Sequence, residues 1–265
     1  MAHIGSTLNT QLKHIYNWMC SNKLSLNFDK TESLLIGSRT MLNKCTPLNL
    51  RIQGRCIQPQ ENVKYLGVVI DQQLKWDKHI DYSSAKVSKL INFLGRLRHY
   101  FTESSLKLIY QSIILPIFDY ADVVYDSSTK GCNTQLQKLQ NRAGRIILGI
   151  SPFKHISNRN IHQILNWESL ACRRQKHINS MVFKIIHDLS APYLKDSFDI
   201  INHNYSLRSI GNLSLPKPRT ESCRRMFSYR GASQFNVLPS TLKSSPNYNI
   251  FITALNDQVL KTISL

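Results

Sequence analysis

The residues best equipped for chemistry in this chain are its cations. The 265 residues include 34 Lys and Arg against 16 Asp and Glu, a formal net charge of +18. A field of that sign concentrates polyanions, and phosphate contacts with counterion release make nucleic acid the predicted partner. The cations come in groups. Lys86, Lys89, Arg96 and Arg98 form one; Lys138, Arg142 and Arg145 form another. Further on, Arg208, Lys217, Arg219, Arg224, Arg225 and Arg230 stand against one acid, Glu221, with Phe227 and Tyr229 interleaved. Arginines beside aromatics can hold phosphate and stack on bases. A segment that packs its aromatics inward has the same composition, so both readings stand.

Other chemistries find little to work with. Cys20, Cys45, Cys56, Cys132, Cys172 and Cys223 form no CxxC pair, and no histidine lies at zinc-finger spacing from them. They read as single buried or half-buried thiols in a reducing compartment, and no zinc site is predicted. His79, His99, His155 and His162 show no HExxH spacing, and there is no GxSxG, Walker or GxGxxG motif. No apolar run approaches the roughly 18 residues of a membrane span. The first residues have no apolar leader core. The expectation is an intracellular protein that does not engage a membrane.

The elements that position the cations are set by periodicity. Residues 7–20 read as a helix opened by Ser6 or Thr7, with Leu8, Leu12, Ile15, Tyr16 and Met19 on one face and Asn22 as its breaker. Leu24, Leu26 and Phe28 alternate with polar residues as in a strand; 27–31 is a turn, 32–36 a second strand and 38–47 a polar loop. Residues 48–52 and 55–58 read as a hairpin about Gly54. From Ser84 onward the chain is mostly helical. Val87, Leu90, Ile91, Leu94 and Leu97 face inward, with Lys86, Lys89, Arg96 and Arg98 on or beside the other side. Thr102 or Ser104 opens the next helix, with Leu106, Ile109, Tyr110, Ile113 and Ile114 inward until Pro116 kinks or stops it. Leu136, Leu139, Ala143, Ile146 and Ile147 form a third stripe, flanked by Lys138, Arg142 and Arg145. Helices are predicted over 161–165 and 168–187, a loop-rich break over 191–205, and a closing helix over 249–263 with Phe251, Leu255, Val259 and Leu260 inward.

Residues 64–80 read K-Y-L-G-V-V-I-D-Q-Q-L-K-W-D-K-H-I. Val63, Tyr65 and the apolar run 66–70 predict a buried strand, with Gly67 inside it as a bulge or close backbone approach. Asp71 and two glutamines end it, and Leu74, Trp76 and Ile80 form an apolar anchor leading into a basic helical region. This stretch resembles the signature near the end of the reverse transcriptases of non-LTR retrotransposons, the jockey-like group in particular. The resemblance implies the place where palm meets thumb, with a primer-grip hairpin that holds the growing primer end. It puts Lys64, Tyr65, Leu66, Gly67, Lys75 and Trp76 at the nucleic acid. Residues 18–31, W-x-x-x-N-K-L-S-L-N-x-x-K-T, resemble motif D of the same family. There the lysine matching Lys30 helps protonate the leaving pyrophosphate. A lysine serves as such an acid only when neighbours set its pKa and geometry, and Lys30 by itself reads as a solvated turn lysine. Weaker phrases at 141–149 and 238–243 extend the resemblance.

Polymerases of this family use Mg²⁺ held by aspartates from an early palm strand and a Tyr-Ala-Asp-Asp turn, both preceding motif D. The residues before Lys23 include no Asp or Glu. Tyr120-Ala121-Asp122 is followed by Val123 and lies on the wrong side of motif D, so Asp119 and Asp122 read as structural, paired with nearby Lys or Arg. The expectation is therefore a partial reverse-transcriptase-like chain, without metal of its own. It binds RNA template, DNA primer or their hybrid, and the missing polymerase half is a candidate partner. The predicted fold is α+β: a small antiparallel palm-remnant sheet in 1–82, a helical thumb in 83–150, and a basic, mostly helical region in 151–265. A free-standing nucleic-acid-binding or protein-interaction protein derived from the thumb stays open beside it.

Overall fold

The computed structural model describes residues 2–45, 48–151, 154–201 and 212–263. Arg208 lies outside the described residues, as do the side chains of Val259 and Leu260. The fold is α+β, and the chain divides into two compact units, Met1–Tyr82 and Ser83–Leu265. Among the described residues no helix is long and apolar enough to cross a membrane.

Among the described residues all six strands lie in the first unit, as three separate two-stranded pairs. It opens with α1 (Ala2–Ser21), which starts earlier than predicted: Ser6 and Thr7 lie inside the helix instead of capping it. Gly5 costs a helix only about 1 kcal/mol and does not stop one. Lys23, not Asn22, takes the left-handed turn that ends it, at φ 58. The predicted strand through Leu24, Leu26 and Phe28 is absent. Phe28 instead begins a 3-10 turn (Phe28–Lys30) that Asn27 caps, and Arg55 lies over its ring at 4.8 Å. Alternation marked one-sided burial there, not a ladder. The second strand shrinks to β1 (Ser33–Leu34), which pairs in parallel with β4 (Pro59–Gln60), so the unit is not purely antiparallel. The supposed loop after Gly37 contains α2 (Arg39–Lys44), capped by Ser38, whose Oγ accepts from the Met41 N–H. The polar residues there hid a short capped helix.

β2 (Leu50–Ile52) and β3 (Arg55–Ile57) form the expected hairpin, with Gln53 and Gly54 both at positive φ. Its outer edge is met by Asn9 of α1, whose Oδ1 accepts from the Arg51 N–H at 2.8 Å and whose amide donates to the Asn49 carbonyl at 3.0 Å. The stretch read as one buried strand is a second hairpin, β5 (Asn62–Tyr65) and β6 (Val68–Asp71), turning at Leu66 (φ 46) and Gly67 (φ 85). Two positive-φ residues between antiparallel strands are the signature of a type I′ turn. Gly67 is therefore a turn residue, not a bulge within a strand. The unit's core is small: Ile52, Ile57, Val68, Trp76 and Ile80 are its buried apolar side chains.

The second unit is helical. The long helix α3 (Asp77–Leu97) carries the chain into it, starting well before Ser84. Its inward side is clean: Val87, Ile91 and Leu94 are fully buried. Thr102 caps α4 (Glu103–Ile109), accepting from the Ser105 N–H. The run then widens into a π turn, Tyr110–Ile114, and resumes as α5 (Leu115–Asp119) with Pro116 in its first turn. Proline lacks the N–H an α-helix needs; the widened turn before it lets the run go on without that bond. The extra residue in this turn also rotates Ile113 outward, to 52 % exposure, against its predicted place.

α6 (Lys130–Ile147) packs on α7 (Asn158–Leu165) through Gly144, where a Cβ would stand 2.7 Å from Ile161. Tyr110 stacks on Trp167 at 4.1 Å in the same core. A second cluster surrounds α8 (Leu170–Ile186). Into it α10 (Phe227–Val237) sends Ala232 and Phe235, and α12 (Tyr248–Ile263) sends Phe251 and Leu255. Between them lie a 3-10 turn (Pro192–Ser197), α9 (Glu221–Arg225) and α11 (Ser240–Lys243). The six cysteines are unpaired; Cys132 is buried, whereas Cys20 and Cys56 are exposed, against expectation.

Candidate nucleic-acid interface

In the first unit the K-Y-L-G stretch explains itself as local architecture. Tyr65 and Leu66 stand at the hairpin tip, 64 % and 73 % exposed. Lys64 is exposed, and its Nζ donates to the Tyr82 hydroxyl at 2.9 Å while lying 4.4 Å from that ring's centre. At the other end Asp71 organises the turn into α3. One carboxylate oxygen accepts from the Gln73 and Lys75 N–H groups at 2.9 and 3.1 Å, the other from the Trp76 N–H at 2.8 Å. Those bonds hold Leu74 and Trp76 at positive φ, an unfavourable conformation for side chains of this size. Lys75 is exposed, but Trp76 is a core side chain, 5 % exposed. His79, 2 % exposed, accepts from the Val69 N–H through Nδ1 at 3.3 Å. The signature thus encodes a tip, a capped turn and an anchor of Trp76 and Ile80; Leu74, 40 % exposed, does not join that anchor, because the turn that Asp71 caps holds it outward. Lys30 is exposed at the end of its 3-10 turn.

Burial pushes the His79 pKa below its ordinary value. A group whose folded pKa is depressed contributes stability above its unfolded pKa, about 6.5, and loses it as pH falls below that. We expect the hairpin to loosen as pH falls below about 6.5, seen as the Val69 amide signal shifting in NMR while His79 titrates below free histidine. A His79 titration at or above the free value would contradict the burial account.

In the second unit the predicted cations separate into two rows. Lys86, Lys89 and Arg96 share the outer side of α3 with Phe93 and, just past its end, Tyr100. The spacing, three or four residues each time, keeps the four helical residues on one side, and Tyr100 follows in the turn after Leu97. Phe93 is 48 % and Tyr100 84 % exposed, and the Arg96 guanidinium lies 5.7 Å from the Phe93 ring. Sequence reasoning named the cations and passed over these two aromatics, although the same spacing marks them. Arg98, Lys138, Arg142 and Arg145 do not join this row. They line a groove between the C-terminal end of α3 and α6. Arg142 donates to Asn92 at 2.7 Å, and Arg145 to the Lys154 and Ile156 carbonyls at 3.2 and 2.9 Å. Arg224 and Arg225 sit exposed on the short α9, where Arg225 reaches back to Glu221 at 3.4 Å. Their neighbours turn inward: Phe227 packs edge-on against Phe198, and Arg230 pairs with Asp126 at 2.6 Å.

The carboxylates from the end of α5 onward are held by cations and an imidazole. Arg173 grips Asp119 with two bonds, at 3.0 and 2.5 Å. His177 bonds to buried Asp122 at 2.6 Å, and that contact raises the imidazole pKa. Arg174 and Arg230 flank Asp126, whose own pKa is nevertheless raised by burial. The ligand atoms of Asp119, Asp122 and His177 lie within 4.8 Å of one another, but Arg173 already supplies Asp119 with a positive charge. The arrangement ties the 119–126 segment to α8 and α10 by ion pairs.

No protein-family model and no solved structure matches the chain. Curated proteins of Drosophila melanogaster do. The probable RNA-directed DNA polymerase from transposon X-element is 25 % identical over 164 residues, 60 % of this chain and 17 % of the relative. The probable RNA-directed DNA polymerase from transposon BS is 22 % identical over 157 residues, 58 % and 17 % of the two chains. The RNA-directed DNA polymerase from mobile element jockey is 26 % identical over 148 residues, 54 % and 16 %. The match thus spans about a sixth of each relative's length. Over that small part of their length the chain is similar to the RNA-directed DNA polymerases of the mobile elements X-element, BS and jockey.

Proposed function

We propose that the chain is a nucleic-acid-gripping part of a reverse-transcriptase-like protein of the non-LTR type, and that by itself it binds RNA, DNA or their hybrid without polymerising. The observation that carries this is the second unit's surface, where cations and exposed aromatics share one side of α3 and more cations line a groove without any acid. In this reading the 62–71 hairpin corresponds to the primer grip and the α3–α6 helices to the thumb. Lys30 acts as a general acid only within an intact enzyme, and the Mg²⁺ chemistry resides in residues that this chain does not supply.

Gel shifts of the purified chain across a salt series test it. Several phosphate contacts predict a fall of about a thousandfold in affinity for a fourfold rise in salt. Charge reversal of Lys86, Lys89 and Arg96 together should flatten that slope by about three contacts. Absence of any shift at low salt would leave only a protein-interaction role. Incorporation of dNTPs by the pure chain on a primed RNA template would overturn the non-polymerising part.

A further inference from the structure

The groove at the end of α3 differs in kind from the row along its outer side. Its volume is about 640 Å³, within the range that encloses a small organic ligand. Cations ring it: Arg98, Lys138, Arg142 and Arg145. Beside them stand Gly95, Ile146 and Ile150, the amides of Asn141 and Asn158, and His99 and Ser151. Gly95 lacks the side chain that would otherwise project there; a Cβ would stand 3.7 Å from Ile146. Arg98 lies against the bare Cα of Gly149, where a Cβ would stand 1.8 Å from the guanidinium. Two of the arginines are held by hydrogen bonds to Asn92 and to the 154–156 carbonyls, so their heads are placed before any ligand arrives.

A groove both cationic and apolar fits a ligand that is both anionic and flat-faced. A duplex offers only half of that: it presents phosphates outward and stacks its bases inside. An unpaired nucleotide offers both, with base edges free for Asn158 and for the part of the Asn141 amide that Gln137 and His162 do not already hold. We infer that this groove seats an unpaired nucleotide of a single strand, its phosphate among Lys138, Arg142 and Arg98 and its base over Gly95 and Ile146. This rests on the proposed nucleic-acid binding and adds to it a preference for unpaired strand at one place.

Fluorescence anisotropy with the full chain and three probes decides it: a short single-stranded oligonucleotide, the same strand made abasic, and its blunt duplex. The intact strand should bind about tenfold tighter than the abasic one, the worth of one seated base. Gly95→Leu, which fills the groove without altering charge, should erase that difference and leave duplex binding unchanged. Equal affinity for intact and abasic strands would overturn the inference while leaving phosphate binding intact. No binding of any probe at low salt would overturn both. Should Gly95→Leu fail to fold by circular dichroism, the intact-against-abasic comparison decides alone.

Discussion

Phe251→Ala should cost the second unit about 3–5 kcal/mol, the range for removing a buried phenylalanine from a core. Phe251 is fully buried, stacks on Phe183 at 4.2 Å with the rings 18° apart, and leans on Phe235 at 6.4 Å. Phe183 stacks in turn on His187 at 4.1 Å, so one ring holds together side chains from α8, α10 and α12. The cavity cannot close easily, because the rings around it are fixed by each other. Against a total stability of about 5–15 kcal/mol, the loss is a large share. Urea unfolding followed by circular dichroism would show the midpoint fall, with Phe251→Leu losing much less. A loss under about 1 kcal/mol would mean that α12 is not part of the cooperative core.

The second large effect is expected at Asp71. Its carboxylate is the acceptor for three backbone N–H groups in one turn. Asp71→Ala leaves those donors without it and removes what holds Leu74 and Trp76 in left-handed backbone. Bonds to a charged acceptor are worth about 1.5–3 kcal/mol each and do not add when they share one group. The expected loss in the first unit is about 2–4 kcal/mol. Asp71→Asn keeps one carbonyl oxygen and should retain part of it. Tryptophan fluorescence would report the change, since Trp76 would pass from a buried to a wet environment; Trp18, already 62 % exposed, would move little. An unchanged emission spectrum together with an unchanged melting curve would refute the capping role.

How far the sequence reveals this molecule differs between its two units. Helices with an apolar side every three or four residues were legible, down to Thr102 as one of two caps offered for α4, because the 3.6 period repeats over many residues and errors average out. The strands are two to four residues long, too short for any period to show. At 66–70 an apolar run hid a turn, since one of the two residues that make it is Leu66, a side chain seldom found at positive φ. There the family resemblance named a hairpin where the residues alone suggested a strand. The candidate site was legible as charge and not as shape. Lys86, Lys89, Arg96 and Arg98 look like one group in sequence, but the end of α3 and its packing against α6 send Arg98 to the groove and leave the others outside. That depends on where a helix stops, which composition does not tell.

α3 carries three kinds of work around one axis: buried apolar side chains, an outer row of cations and aromatics, and a groove-facing end at Gly95. Each residue along a helix turns the next by about 100°. Substitutions on α3 are therefore local events that touch one of the three sides. Adding or deleting one residue between Val87 and Gly95 is not: every side chain beyond it would rotate by that angle, sending Leu94 toward water and Arg96 out of its row. Drift in this part of the chain is free to change letters and is barred from changing length.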